Sequence, residues 1–272
     1  MREMSRNWKS FIAVVLVFVA LLSGCTSKEE RAAIDSFKEV SGKVEKMNTD
    51  LDKQIADAED LVKKNEKALD EQAIGKLETA VSQAKSAKVE VPEQPKKLEE
   101  LKSETEKLNK ADYTSVTQEI ADTKKAYEDS VKQLKQVTAP EEKFVIERIQ
   151  SVEGVTGISA VTEDNDPNKQ LGKQGGYTAQ VYFSYNLVNQ EEVFGNSLID
   201  KGTEAGGSIE VYQTAEDAEK RNTYLGAFDG SPISPGSHRV VGTVIVRVSN
   251  QLTASQQKEL EEKLIASLTE IK

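Results

Sequence analysis

Residues 177–185 read "YTAQVYFSY", and their alternation decides the fold class of the C-terminal half. Tyr177, Ala179, Val181, Phe183 and Tyr185 share one side of a period-two pattern, while Thr178, Gln180 and Ser184 share the other. Successive side chains of a strand point to opposite faces, so one face belongs in a core and the other is expected to be less buried. Tyr182 is an aromatic on the polar side. Exposed aromatics stack on sugar rings or anchor partners. Tyr182 is therefore a candidate binding residue, with cover by a helix as the alternative.

Three further segments have strand composition: "VTGISAV" (155–161), "SIEVYQT" (208–214) and "VVGTVIVRV" (240–248). Helical patterns lie between and around them. "PEEKFVIERIQSV" (140–152) is amphipathic, with Thr138 and Glu141 spaced as a capping box. In "TAEDAEKRNTYLGAF" (214–228) Thr214 and Asp217 suit a helix N-terminus. "TASQQKELEEKLIASLTEI" (253–271) has Thr253 and Gln256 as a capping box and Leu260, Leu264, Leu268 and Ile271 as its buried stripe. The expectation is an α+β fold with a four-stranded, mainly antiparallel sheet packed with helices.

Upstream the composition changes. Residues 26–139 hold two Gly, two Pro and three aromatics, whereas residues 140–272 hold 13, four and nine. That shift places a domain boundary at Pro140. Ile34, Phe37, Ser41, Val44, Asn48, Leu51, Ile55, Ala58, Val62, Asn65 and Leu69 follow the alternating four-and-three spacing of a coiled-coil seam. Asp70 is placed to cap a second helix; a third presents Leu98, Leu101 and Leu108, and a fourth Val116, Ile120, Tyr127, Leu134 and Val137. Residues 25–139 are thus expected to form an N-terminal helical, coiled-coil-like bundle or stalk carrying the domain at 140–272.

The chain starts with the basic "MREMSRNWKS" and the uncharged "FIAVVLVFVALLSG", the layout of an export signal over residues 1–24. Leu22, Ser23, Gly24 and Cys25, the only Cys, resemble the lipobox of bacterial lipoproteins. The resemblance implies that the Cys25 thiol takes a diacylglyceryl group after cleavage. Two acyl chains at ~0.8 kcal/mol per buried CH₂ hold a protein at a membrane, whereas one holds it only marginally. Beyond residue 24 the chain has 33 basic and 45 acidic side chains, a net charge of −12. It lacks the basic footprint of a nucleic-acid binder and the thiols for a disulfide framework.

"GGYTAQVYFS", "GSIEVYQTAEDAEKRNTYLGAF" and "GSHRVVGTVIVRVSNQLTASQQKELEEKL" together resemble a module of uncharacterised surface lipoproteins of Gram-positive bacteria, joined in the same way to a lipobox and a helical segment. The resemblance is most specific over residues 175–260. It implies location and architecture but no reaction.

Candidate chemistry is sparse. Asp164, Asp166 and Asn168 occupy the first, third and fifth positions of a calcium-loop pattern, but Lys169 stands where that pattern needs Gly and Gly175 where it needs Glu. The segment reads as a solvated turn and a weak candidate binding loop. The Gly-containing "GKQGG" and "DKGTEAGGS" read as hairpin loops without the setting of a phosphate loop. His238, the only histidine, has no nucleophile signature beside it. No catalytic residue, metal site or cofactor is implied. The sequence reads as a lipid-anchored, extracytoplasmic, non-enzymatic protein whose partners are the membrane, through the N-terminal lipid, and a cell-wall polymer or surface protein, with no nucleic acid. The rivals are a cell-wall hydrolase or transferase using carboxylates, and an accessory lipoprotein subunit of a membrane complex.

Overall fold

The computed structural model describes residues 27–231 and 234–271. The signal segment and Cys25 lie outside the described residues. The described chain is α+β, with eight α-helices and one five-stranded antiparallel sheet.

Four helices precede the sheet: α1 (Lys28–Lys64), α2 (Ala73–Ala87), α3 (Leu98–Leu108) and α4 (Thr114–Gln136). The seam residues Phe37, Val44, Leu51, Ile55 and Ala58 of α1 are buried. Asn65 and Leu69 do not continue it, because Asn65 adopts a left-handed φ of 47° and the helix stops at Lys64. The Asp70 carboxylate accepts the Gln72 N–H at 2.9 Å ahead of α2.

Contacts sort these helices into two compact units. The first comprises the described residues up to Lys46 and Val89–Ala111, with Phe37, Val44, Leu101 and Leu108 as its core and a Lys102–Glu29 ion pair at 2.7 Å. The second comprises Met47–Lys88 and Asp112–Lys272. In it, the Tyr127 hydroxyl donates to Glu66 O at 2.8 Å, and the buried Ser130 hydroxyl accepts Asp70 N–H at 2.7 Å.

The rest of the second unit begins with α5 (Glu142–Gln150), β1 (Val155–Ala160), β2 (Tyr177–Tyr185) and α6 (Leu198–Lys201). It continues through β3 (Gly206–Tyr212), α7 (Ala215–Gly226), β4 (Ser237–Val241), β5 (Val244–Val248) and α8 (Ala254–Thr269). The strand order is β1-β2-β3-β5-β4. Five strands replace the expected four because "VVGTVIVRV" folds back on itself. Val241 pairs with Val244 across a two-residue turn whose Gly242 has φ +64°, a conformation that suits glycine in a tight hairpin. "DKGTEAGGS" is not a free hairpin loop either. It closes α6, makes a 3-10 turn at Gly202–Ala205 and enters β3, where a Cβ on Gly207 would meet the Phe183 ring at 2.3 Å and Arg247 O at 2.4 Å.

The two faces of the sheet differ. α5 and α8 cover one over a continuous apolar core that includes Val181, Phe183, Ile209, Val211, Val246, Leu260 and Leu264. Val137 belongs to that core, and its carbonyl accepts Thr243 N–H at 3.0 Å from the β4–β5 turn. α7 covers part of the other face, where Tyr177, Tyr212, Ala218, Leu225 and Ile245 cluster. The capping boxes at Thr253–Gln256 and the cap at Thr214 form as read. The one at Thr138–Glu141 does not, because the Thr138 hydroxyl donates back to Leu134 O at 2.6 Å and Glu141 is the N-cap with no side-chain bond.

Candidate functional site: a polar pocket under α7

The face beneath α7 carries residues of one parity from three strands. Register sets Gln180 opposite Glu210, Tyr182 opposite Ser208, and Ser208 opposite Arg247. Directly opposed residues in an antiparallel sheet share a face, so a polar patch of two adjacent rows, Gln180–Glu210 and Tyr182–Ser208–Arg247, runs across the middle of the sheet. Arg221 reaches it from α7.

Glu210 is the centre of that patch and is completely buried. Its Oε1 accepts from Arg247 Nη1 at 2.8 Å and Arg221 Nη2 at 3.2 Å. Its Oε2 accepts from the Tyr212 hydroxyl at 2.7 Å and Arg221 Nε at 3.0 Å. Burial alone raises the pKa of a carboxyl, but the Arg247 and Arg221 charges with these hydrogen bonds outweigh it and hold Glu210 below its ordinary value. Tyr212 is pushed up by its own burial and by the Glu210 charge, so it remains the donor.

A pocket of about 710 Å³ opens beside this cluster, lined among others by Asn168, Tyr182, Thr203, Arg221, Tyr224 and Arg247. A second pocket of about 350 Å³ shares Asn168, Arg221 and Tyr224 with it and continues to Gly175, Tyr177 and Lys220. Arg221 therefore stands between the two, its guanidinium carbon 5.4 Å from the centre of the Tyr224 ring, within cation–π reach. Tyr224 packs edge-on against Phe228 with centroids 5.2 Å apart and is exposed.

The residues singled out from sequence fall as follows. Tyr182 does lie on the second face and lines the larger pocket, yet it is only 4 % exposed, and its hydroxyl accepts Gln180 Nε2 at 2.9 Å. Its pKa is raised by burial first of all. The expected open face is thus mostly covered, and Tyr182 is a wall of the pocket, not a free platform. Asn168 lines both pockets. Asp166 is buried and organises the loop that presents Asn168. It accepts backbone N–H groups from Asn168, Gln170 and Leu171 at 2.9, 2.6 and 2.8 Å, and the hydroxyl of Tyr177. Burial acts against its ionised form, but these hydrogen bonds hold the pKa below its ordinary value. Asp164 is exposed in the same loop and lines neither pocket. Among the described residues no group of three or more His, Cys, Asp or Glu is arranged to hold a metal ion. His238 lies between Asn222 Oδ1, 2.7 Å from its Nδ1, and Asp229 Oδ1, 3.3 Å from its Nε2.

Sequence reasoning missed Glu210, Arg221 and Arg247. A signal existed: Glu210 and Arg247 each interrupt an apolar strand, "SIEVY" and "VIVRV", and an ionisable residue inside a strand demands a buried partner or water.

The described residues form an α+β protein with a polar pocket on a sheet face partly covered by α7. No protein-family model, curated protein or solved structure matches the chain. Among the described residues no helix is long and apolar enough to cross a membrane.

Proposed function

We propose that the protein is a lipid-anchored, extracytoplasmic binding protein. Cys25 carries the lipid, the helices of residues 25–139 serve as a coiled-coil-like stalk, and the α+β part at 140–272 binds an envelope polymer or a surface protein without catalysing a reaction. The observation that carries the binding reading is the pair of pockets meeting at Asn168, Arg221 and Tyr224. A chain-like ligand lying over that ridge touches both, whereas a compact one fills a single pocket. The hydrolase rival is less well supported, because Glu210, the fully buried carboxylate beside the larger pocket, already accepts four hydrogen bonds and is held ionised by two guanidiniums. General acid chemistry near neutral pH needs a raised pKa instead.

Two measurements test the reading. Mass spectrometry of the membrane-extracted protein should find a lipid-modified N-terminal Cys25, and Cys25→Ala should release the protein from the membrane fraction. Purified cell wall should sediment the full exported chain and lose it when Tyr224 is changed to Ala. An unmodified Cys25 in a chain starting at Met1 refutes the anchor, and wall or partner binding indifferent to Tyr224 refutes the pocket.

A further inference from the structure

Arg247 and Arg221 share one carboxylate, but they share it unequally. Arg221 presents its Nε and Nη2 edge to Glu210. Arg247 gives only Nη1, and its Nε is buried with no partner. The Nε–Nη2 edge of a guanidinium is the fork that matches two oxygens of a carboxylate or phosphate. Nine-tenths of Arg247 is buried, and the side chain lines the larger pocket. A buried donor without an acceptor is costly and rare in a finished protein. The floor thus holds two guanidiniums against one carboxylate, with the Arg247 Nε left without an acceptor.

The pocket's other walls limit what brings the acceptor. Asp200 and Glu204 are exposed carboxylates on its rim, against one cation, Lys201, whose Nζ donates to Gln190 O at 2.6 Å, and the excess of negative charge there disfavours a ligand with anionic groups beyond the one on the floor. Tyr224, Leu225 and Phe228 supply an aromatic and apolar side. Resting on the binding reading above, we infer that this pocket takes a ligand with a single oxyanion, a carboxylate or a phosphate ester, attached to a ring. The oxyanion sits against the Arg247 guanidinium and the ring lies against Tyr224.

Calorimetry on the full exported chain tests this with four probes: phenyl phosphate, benzoate, inorganic phosphate and neutral benzyl alcohol. Phenyl phosphate or benzoate should bind, more tightly than inorganic phosphate, and benzyl alcohol should not. Which of the two binds better identifies the oxyanion. Arg247→Lys keeps the charge opposite Glu210 but has no fork, so binding should weaken by about tenfold or more with the urea midpoint confirming that it is folded. Tyr224→Ala, at an exposed residue, should bring the ring-bearing probe down to the level of inorganic phosphate and serves if Arg247→Lys does not fold. The inference fails if neither aromatic anion binds, if benzyl alcohol binds as well, or if the folded variants bind as the parent does. Wall binding without anion binding would remove the oxyanion site and leave the proposed function standing. Anion binding without wall binding would do the reverse.

Discussion

Arg247 Nη1 lies 2.8 Å from Glu210 Oε1 across neighbouring strands, and Glu210 has no contact with solvent. Removing one partner of such a pair leaves an uncompensated buried charge. Glu210→Gln strands Arg247 and Arg221 together and should lower stability by about 3–5 kcal/mol in urea unfolding at pH 7. A change within a few tenths of a kcal/mol would show that water already reaches the pair.

The same group sets an acid limit. Because the folded pKa of Glu210 is depressed, its ionisation contributes stability that is fully present above the unfolded value of about 4.3 and is lost as pH falls through the lower folded value. Between pH 7 and pH 3 the parent should therefore lose more stability than Glu210→Gln. Parallel pH profiles for the two would contradict the assignment.

Tyr182 separates packing from hydroxyl chemistry. Tyr182→Ala should cost about 3–5 kcal/mol as a buried aromatic truncation. Tyr182→Phe removes only the acceptor of Gln180 Nε2 and should cost about 0.5–1.5 kcal/mol. Chemical denaturation of both variants checks the ratio.

Asp166 supports a loop that the calcium-like spacing misrepresents. Asp166→Ala strips three backbone N–H groups and Tyr177 of their acceptor and should destabilise by about 1–3 kcal/mol at neutral pH. Its depressed pKa gives the same sign as Glu210, so the deficit should shrink as pH drops below about 3.9. Lys169 in that loop has φ +52°, and Lys169→Gly should be neutral to stabilising by up to about 1 kcal/mol.

The β4–β5 turn is clasped to the end of the helical region. A Cβ on Gly242 would lie 2.6 Å from Val137 O and Cγ2, and Ala139, with φ +45°, donates its N–H to Thr243 Oγ1 at 2.7 Å. Gly242→Ala should destabilise by about 1–2 kcal/mol or more from the left-handed backbone alone. Ala139→Gly should be neutral or stabilising. Thermal melts of both test the clasp.

By itself the sequence determined the elements whose period is strong and local. The alternation of Ala179–Tyr185, the caps at Thr214 and Thr253, and the Leu260, Leu264 and Leu268 stripe formed as their spacing requires, whereas a register shift between Tyr177 and Ala179 turns Tyr177 to the α7 face and Ile271 ends exposed. Backbone geometry repeats over a few residues, so nearby side chains specify it. The sequence also carried Gly242 inside "VVGTV", a hairpin signal hidden by β-rich neighbours. Only the tertiary structure decided the site. Arg221 and Arg247 lie 11 and 37 residues beyond Glu210 along the chain, and nothing in their local spacing pairs them. Strand register places Arg247 beside Ser208 and α7 brings Arg221 over the sheet, and register is fixed by burial of the opposite, apolar face. Tyr182 was legible as a residue on the second face, but its cover was not. How far a helix screens a polar face depends on long-range packing that no window of sequence contains.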